Sequence, residues 1–460
     1  MKQNLNQKTS SGVMMSYGVG RFLAEFLTGA YGIMAFFFYE KEMGLPAIYP
    51  TVATIIYSIW NAVNDPLIGW ITGKKPVLEK YGKRLFWIVL GLVTCSLAFL
   101  LIFMVPQALH AHKVAVFIWM VIAVCLYDAA YSLWEVNYQG VFPDKFRSQD
   151  IRRKAAVTST AFGSVGIALG AVLPPLFYHY GDVGSYVTAG LVIAGIGILG
   201  SILIIPGVLQ RAETTPMSEQ MRQEAEPGFV ESLKSTVRHR EFTILATMLF
   251  LYQSACICMT GSVNYVVNGV LGMPAKASTP IFAAMLVGAL ISVAVWSRVA
   301  KKLDNNFLML VITNFFMAAA SFPMLFCRTQ MAFAVFMFLW GLGFGGCWTF
   351  IAPAMADVVD SIVLKERRRN EGVIMGVRAF FMRLSYASQG IVFWLCHTLT
   401  HYDTSAAGQQ TALAQWGITA HIGLVPSLFF LTAALLLLIA NPIPADKARA
   451  NRATLKELGL

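Results

Sequence analysis

The sequence predicts an all-α integral membrane protein with twelve transmembrane helices in two six-helix bundles. Three observations predict it. The 460-residue chain is 57% hydrophobic and only 13% charged, where soluble domains carry about 25% charged residues. Its apolar residues gather into twelve runs of membrane-crossing length. One long polar stretch, near Arg211 to Arg240, falls after the sixth run and divides the chain in two.

The runs are taken in order as 12–38, 48–72, 85–106, 114–142, 156–179 and 184–207, then 242–270, 278–300, 307–326, 331–357, 372–398 and 415–441. Loops after runs two, four, eight and ten carry Lys74-Lys75 with Lys83-Arg84, then Arg152-Arg153-Lys154, Lys301-Lys302 and Arg367-Arg368-Arg369; the opposite loops hold only Lys41, Lys113, Lys276 and Arg328. Basic residues collect on the cytoplasmic side, so both termini are expected in the cytoplasm of a multi-pass inner-membrane protein. The net charge of +11 thus reflects topology and excludes a phosphate-tracking groove for nucleic acid. The domains expected are residues 1–210, a linker at 211–240, and residues 241–460. That layout is the major facilitator fold, in which two bundles rock about a site near the membrane midplane. Met1 to Ser11 is polar and no cleavable signal peptide is expected. A monomer in the lipid bilayer is expected. Glycines at Gly166 and Gly170, and at Gly341, Gly343, Gly345 and Gly346, read as sites of close helix approach.

Run two holds the strongest polar signal. Asn61, Asn64 and Asp65 are spaced i, i+3 and i+4 and share one helix face, and Pro66 frees a backbone carbonyl one turn back. A carboxylate at membrane depth must be paired, protonated or holding a cation. Run one holds Arg21 and Glu25, an i, i+4 pair able to neutralise itself. Run four holds Asp128, Ser132 and Glu135 on one face. Run eleven holds Arg378 and Arg383, about 140° apart on a helix, so one of them is expected to face a cavity. Acids facing a polar solute suit polyhydroxylated compounds, whose neighbouring hydroxyls a carboxylate accepts in pairs.

At helix ends, Asp144, Asp150, Asp357, Asp360, Lys365, Arg369 and Glu371 read as a cytoplasmic gate of salt bridges. His179, His239, His397 and His401 read as solvated. The seven cysteines show no metal-ligand spacing and read as buried thiols; no metal site and no cofactor is expected. No nucleophile–base pair lies within a run, so an enzyme is not expected.

These residues resemble a known family, the glycoside–pentoside–hexuronide cation symporters typified by melibiose permease. Trp60 through Pro66 with Gly69 is similar to its helix-two W-D-A-x-N-D-P-x-x-G motif. Ser16-Tyr17-Gly18 resembles the family's start, and Tyr81-Gly82-Lys83-Arg84 with Trp87 its next loop. Tyr131-Ser132 and Val136-Asn137-Tyr138 through Pro143-Asp144 resemble its helix-four stretch. Ala356-Asp357-Val358-Val359-Asp360 through Arg369, Glu371-Gly372 and Phe380 to Leu384 resemble its A-D-x-V-D-Y…R-x-E-G…F-F-x-K-L block. The resemblance covers essentially the whole chain. It implies a cation site of Asn61, Asn64, Asp65 and Ser132, and a solute site of Glu25 and Glu135 with Arg383, around which Arg21, Asp128, Trp134 and Tyr138 lie. The family's first helix-two aspartate is Asn61 here, the helix-four aromatic that stacks on sugar falls at Gln139, and the helix-five arginine at Ser159. Trp134 or Tyr138 is left to supply stacking.

The expectation is a cation-coupled symporter of a sugar, glycoside or sugar acid. With a single carboxylate counted beside Asn61 and Asn64, a proton is favoured over sodium as the coupling ion. The alternatives are a lysolipid or amphiphile carrier of the same fold, marked by a mostly apolar pocket, and a membrane-embedded solute sensor.

Overall fold

A computed structural model describes residues 10–72, 84–146, 149–209, 234–303, 305–366, 371–406 and 408–458. Most of the linker expected at 211–240 lies outside these residues. The chain divides into two compact units: Met1–Ala225 with Pro274–Thr279, and Glu226–Met273 with Pro280–Leu460. Both are helical, and among the described residues the only β-type pairing is the isolated bridge between His179 and Asp182.

Unit 1 holds α1 (Ser11–Phe37), α2 (Ile48–Thr72), α3 (Leu85–Phe103), α4 (Lys113–Lys145), α5 (Gln149–Val172) and α6 (Val183–Leu203). Unit 2 holds α7 (Arg240–Tyr265), α8 (Ser278–Leu303), α9 (Asn306–Ser321), α10 (Gln330–Glu366), α11 (Glu371–Leu399) and α12, which runs from Ala412 to Ala440 through a π turn at Ala420–Leu424. A thirteenth helix, α13 (Ala445–Leu458), packs on α10 and was not expected. Among the described residues, ten spans are long and apolar enough to cross a membrane. The two that fall short of that measure, α2 and α11, are 25 and 29 residues long, ample for a bilayer. They carry Asn61, Asn64 and Asp65, and Arg378 and Arg383, whose polarity lowers their hydropathy.

Local chemistry sets the ends. Ser10 caps α1 by accepting from Val13 N, Asn305 caps α9 through Leu308 N at 3.1 Å, and Thr411 caps α12 through Ala414 N. The far ends of α1 and α7 are built alike. Each widens into a π turn, Phe38–Glu42 and Val266–Val270. Each then stops at a glycine with positive φ, Gly44 at 64° and Gly272 at 62°, a conformation that penalises any Cβ. The residue after the glycine reaches back six positions, Leu45 N to Tyr39 O at 3.1 Å and Met273 N to Val267 O at 2.9 Å. The shared sequence Gly-Leu/Met-Pro-Ala (Gly44 to Ala47, Gly272 to Ala275) follows from that geometry.

Close helix approach uses the glycines expected for it. A Cβ at Gly170 would lie 2.7 Å from Phe26 O, and one at Gly166 would strike Phe22 O, so α5 lies directly on α1. In unit 2, Gly341 and Gly345 of α10 meet Met285 O and Ser292 Oγ of α8.

Candidate functional site

The helix-two amides face α4. Asn61 and Asn64 are buried at 8% and 2% exposure, and both donate Nδ2–H to the carboxylate of Asp128, itself 1% exposed. Asn61 donates to Oδ1; Asn64 donates to Oδ2 at 3.1 Å and also to Asp128 O at 3.3 Å. Trp60, one position before Asn61, ties the same pair of helices through Nε1–H to Cys125 O at 3.1 Å. The i, i+3 spacing that put the two amides on one face therefore serves a single acid on another helix. Ser132, 2% exposed, lies one turn further along α4. Asp65 follows Asn64 directly and is half-buried. Asp128, expected among the solute contacts, has its oxygens held by the amides grouped with the cation site. Helix pairing across 64 or more residues cannot be read from spacing within one helix. Neither amide is charged, so these bonds orient the carboxylate without cancelling its charge.

A second polar centre lies on α1 and α4. Arg21 and Glu25 form the expected ion pair, their side chains 41% and 26% exposed. Glu135 accepts from Gln139 Nε2, so the residue that replaces the family's stacking aromatic holds an acid instead. Arg21 lies within electrostatic reach of Glu25, Tyr131, Glu135 and Tyr138. Thr28, on the same face of α1 as Arg21 and Glu25, donates its hydroxyl to Ala24 O at 2.8 Å.

Trp134 and Tyr138, expected to supply stacking, are both packed against neighbouring helices. Trp134 is fully buried and packs on Gly91 of α3, where a Cβ would sit 2.7 Å from Trp134 N. Tyr138 stacks on Tyr17 at 4.4 Å, 18° between planes, and donates its hydroxyl to Tyr17 O at 2.8 Å. Beside this centre, α1, α5 and α6 of unit 1 form an open groove of about 540 Å³, in which Val165, Leu199 and Leu203 are exposed. Val19, Phe22, Phe162, Val165, Ile196 and Leu199 are among its lining, and every lining residue is apolar. Phe22 is next in sequence to Arg21.

In unit 2, Arg378 and Arg383 are both half-buried. Arg378 Nη2 lies 3.7 Å from Met382 Sδ, and its Nε–H has no hydrogen-bond partner among the described residues. Of the expected gate, Asp357 accepts from Asn306 Nδ2 at 2.8 Å and Asp360 is half-buried. The side chains of Asp144, Asp150 and Glu371, and all of Arg369, lie outside the described residues. Lys365 pairs with Glu241 at 2.6 Å, and His239 with Glu366 at 2.8 Å. Glu241, in the first turn of α7, was missed; an acid at a helix N-terminus was its signal.

The solvated reading holds for His179 and His401, which are exposed, and fails for His397. His397 is 3% exposed, stacked on Tyr402 at 4.3 Å, with its Nε2 3.3 Å from Nε2 of the fully buried His421. The chain turns back after α11 and lays Tyr402 over the ring. No two cysteines are bridged.

Comparison with known proteins places this geometry. Sodium-dependent lysophosphatidylcholine symporter 1 of Gallus gallus is 21% identical, over 90% of this chain and 83% of that one. An uncharacterized symporter of Synechocystis is 20% identical over 96% of each chain. A solved bacterial homolog of the human lysosomal transporter Spinster, inward-facing, superposes with a TM-score of 0.63 at 12% identity, over 96% of this chain and 97% of that one, and shares the major facilitator fold. The family described as MFS/sugar transport protein matches residues 16–444. The chain belongs to that family and is a multi-pass membrane transporter of the major facilitator fold.

Proposed function

We propose that this transporter is a sodium-coupled symporter of a single-chain zwitterionic amphiphile of the lysolipid class. One observation carries the choice over sugar: Trp134 and Tyr138 are spent on helix packing, while the open groove beside Arg21 is lined by apolar residues throughout, as an acyl chain needs. A sugar needs hydroxyl partners and a flat ring; an acyl chain needs only apolar walls. Arg21 supplies donors for a phosphate, and Glu25 and Glu135 supply charge for a quaternary ammonium. The lysophosphatidylcholine symporters among the relatives support the same class.

The ground for favouring a proton was a single carboxylate beside Asn61 and Asn64. Asp128 adds a second, and two acids with amide and hydroxyl oxygens offset the cost of dehydrating sodium better than one. Cation binding at Asp65, Asp128, Ser132, Asn61 and Asn64 then raises affinity for solute, and alternating access carries both across. We place both termini in the cytoplasm on the distribution of basic loops.

A second reading, glycoside symport of the melibiose-permease type, draws on the family's description and on the helix-two and helix-eleven motifs. Binding to the protein in nanodiscs separates the two. Lysophosphatidylcholine is expected to bind more tightly with sodium than with potassium, and a galactoside to leave that binding unchanged. Sodium-enhanced galactoside binding, with no lysophosphatidylcholine binding, would favour the second.

A further inference from the structure

We propose that the basic end of unit 2, made by the residues leading into α7 and by α13, binds the anionic phosphate headgroups of the bilayer. Position comes first. α12 ends at Ala440 and α13 begins at Ala445, and the four linking residues span at most about 14 Å. The link is held as well as short: Asn441 turns the chain at φ 35°, Ile443 is buried, and Ala448 N bonds Pro444 O at 3.0 Å. α13 therefore starts near the level where a membrane-crossing helix leaves hydrocarbon and meets headgroups. Residues 234–240 enter α7 at the same end, where Arg240 Nη2 donates to Ala440 O at 3.1 Å.

Charge comes second. The two segments carry Lys234, Arg238 and Arg240, then Lys447, Arg449, Arg452 and Lys456, against Asp446 and Glu457 alone. Arg449, Arg452 and Lys456 recur at i, i+3 and i+7, the spacing of one helix face. Lys234, Arg238, Arg240, Lys447 and Arg449 are exposed. Among the described residues, Lys234, Arg238 and Lys447 have no ion-pair partner, and Arg449 meets Asp446 in a pair open to solvent. The neighbouring acids are engaged elsewhere: Glu241 accepts from Lys365 at 2.6 Å and Ser361 at 3.0 Å, and Glu366 pairs with His239 at 2.8 Å.

The two facts together select the occupant. A polybasic segment immediately outside a membrane-crossing helix meets anionic lipid before any other anion, because the headgroups are fixed beside it. Its charges act over a screening length of roughly 8 Å at physiological salt, and the short link to α12 keeps them near the surface. Phosphate oxygens suit guanidinium and ammonium donors alike. The helix does not insert: its Ala448 is buried where α13 packs on α10, so the attraction is between charges rather than through buried apolar area. Headgroups held here brace α13 against α10, whose last turn carries Lys365 and Glu366 to the start of α7.

Amide hydrogen exchange of the full chain in nanodiscs tests this without solute or sodium, and so stands apart from the reading above. With equal parts phosphatidylglycerol and phosphatidylcholine, exchange over Ala445–Leu458 is expected to be about 5-fold slower than in phosphatidylcholine alone. Salt at about 1 M, which cuts the screening length to about 3 Å, should remove the difference. The combined change Lys447→Gln, Arg452→Gln and Lys456→Gln should remove it at low salt, with thermal unfolding unchanged. Lys447→Gln alone should remove part of it, should the triple variant not fold. Equal exchange in the two membranes, or a difference that persists in high salt or in the folded variant, would overturn the proposal. Protection that needs no anionic lipid, and is lost in the combined change Glu213→Gln, Glu219→Gln, Glu224→Gln and Glu226→Gln, would overturn it too, assigning the basic face to the acidic linker.

Discussion

The two units bury polar groups in opposite ways. In unit 1, Asn61 and Asn64 surround the Asp128 carboxylate with amide donors, which fix a charge in place. In unit 2, the fully buried His421 lies between Ser262, whose Oγ is 2.6 Å from its Nδ1, and His397, whose Nε2 is 3.3 Å from its Nε2. The first arrangement suits the cation proposed above; the second joins two imidazoles and a hydroxyl. A buried carboxylate cannot shed its charge at neutral pH without a proton or an ion, whereas a neutral imidazole can both donate and accept. The lesson is that burial alone does not mark a site, and the kind of donor around the buried group decides what it binds.

The largest expected effect breaks the charge in unit 1. Asp128→Asn should leave the fold intact, since its partners are neutral amides, and lower sodium-stimulated transport by about 100-fold, because it removes a charge that offsets dehydration of the ion. Asp65→Asn should act in the same direction. Wild-type sodium stimulation in the Asp128 variant would move the cation elsewhere.

The next separates packing from binding. Trp134→Ala should destabilise unit 1 by about 3–5 kcal/mol, seen in thermal unfolding, while the folded fraction keeps its solute affinity. A loss of affinity at unchanged stability would return Trp134 to the solute site. Glu25→Gln should cost about 1–3 kcal/mol of binding. If Glu25 serves only Arg21, the double change Arg21→Gln with Glu25→Gln restores affinity, and an equilibrium binding assay shows which holds.

The matched helix ends sharpen the comparison further. Gly44→Ala and Gly272→Ala each force a Cβ into positive φ, at about 1–2 kcal/mol, and similar losses in the two variants are expected from denaturant titration. A smaller effect concerns Lys145, beyond the apolar span of α4, whose amine donates to Pro206 O at 2.8 Å and Leu209 O at 2.9 Å. Burial without a counter-charge pushes it down to about 8. The folded state thus binds this proton more weakly than the unfolded one, so stability is lowered below pH 8 and recovers as pH rises toward the amine's ordinary range. A modest rise in unfolding temperature above about pH 8, absent in Lys145→Gln, is the expected outcome.

Much of the fold is legible in the sequence because hydropathy reports the solvent a helix sees. The site is legible only where both partners lie on one helix. Arg21 and Glu25 are one turn apart, and their pair forms as spacing requires. Asp128 was grouped with Glu135 because they share a face of α4, yet its partners come from α2, and which helices touch is a long-range matter. His397 read as solvated from its place near a run's end; the burial comes from the return of Tyr402 and the π turn bearing His421, which no periodicity signals. Trp134 and Tyr138 point at a pocket on a helical wheel and at helices in space.

The most direct test is flux in proteoliposomes. With an inward sodium gradient, lysophosphatidylcholine should accumulate in the vesicle interior against its gradient, should stop doing so when potassium replaces sodium, and should be indifferent to excess galactoside. Accumulation driven by a pH gradient in the absence of sodium, or sodium-driven galactoside uptake with no lysophosphatidylcholine uptake, would contradict the account.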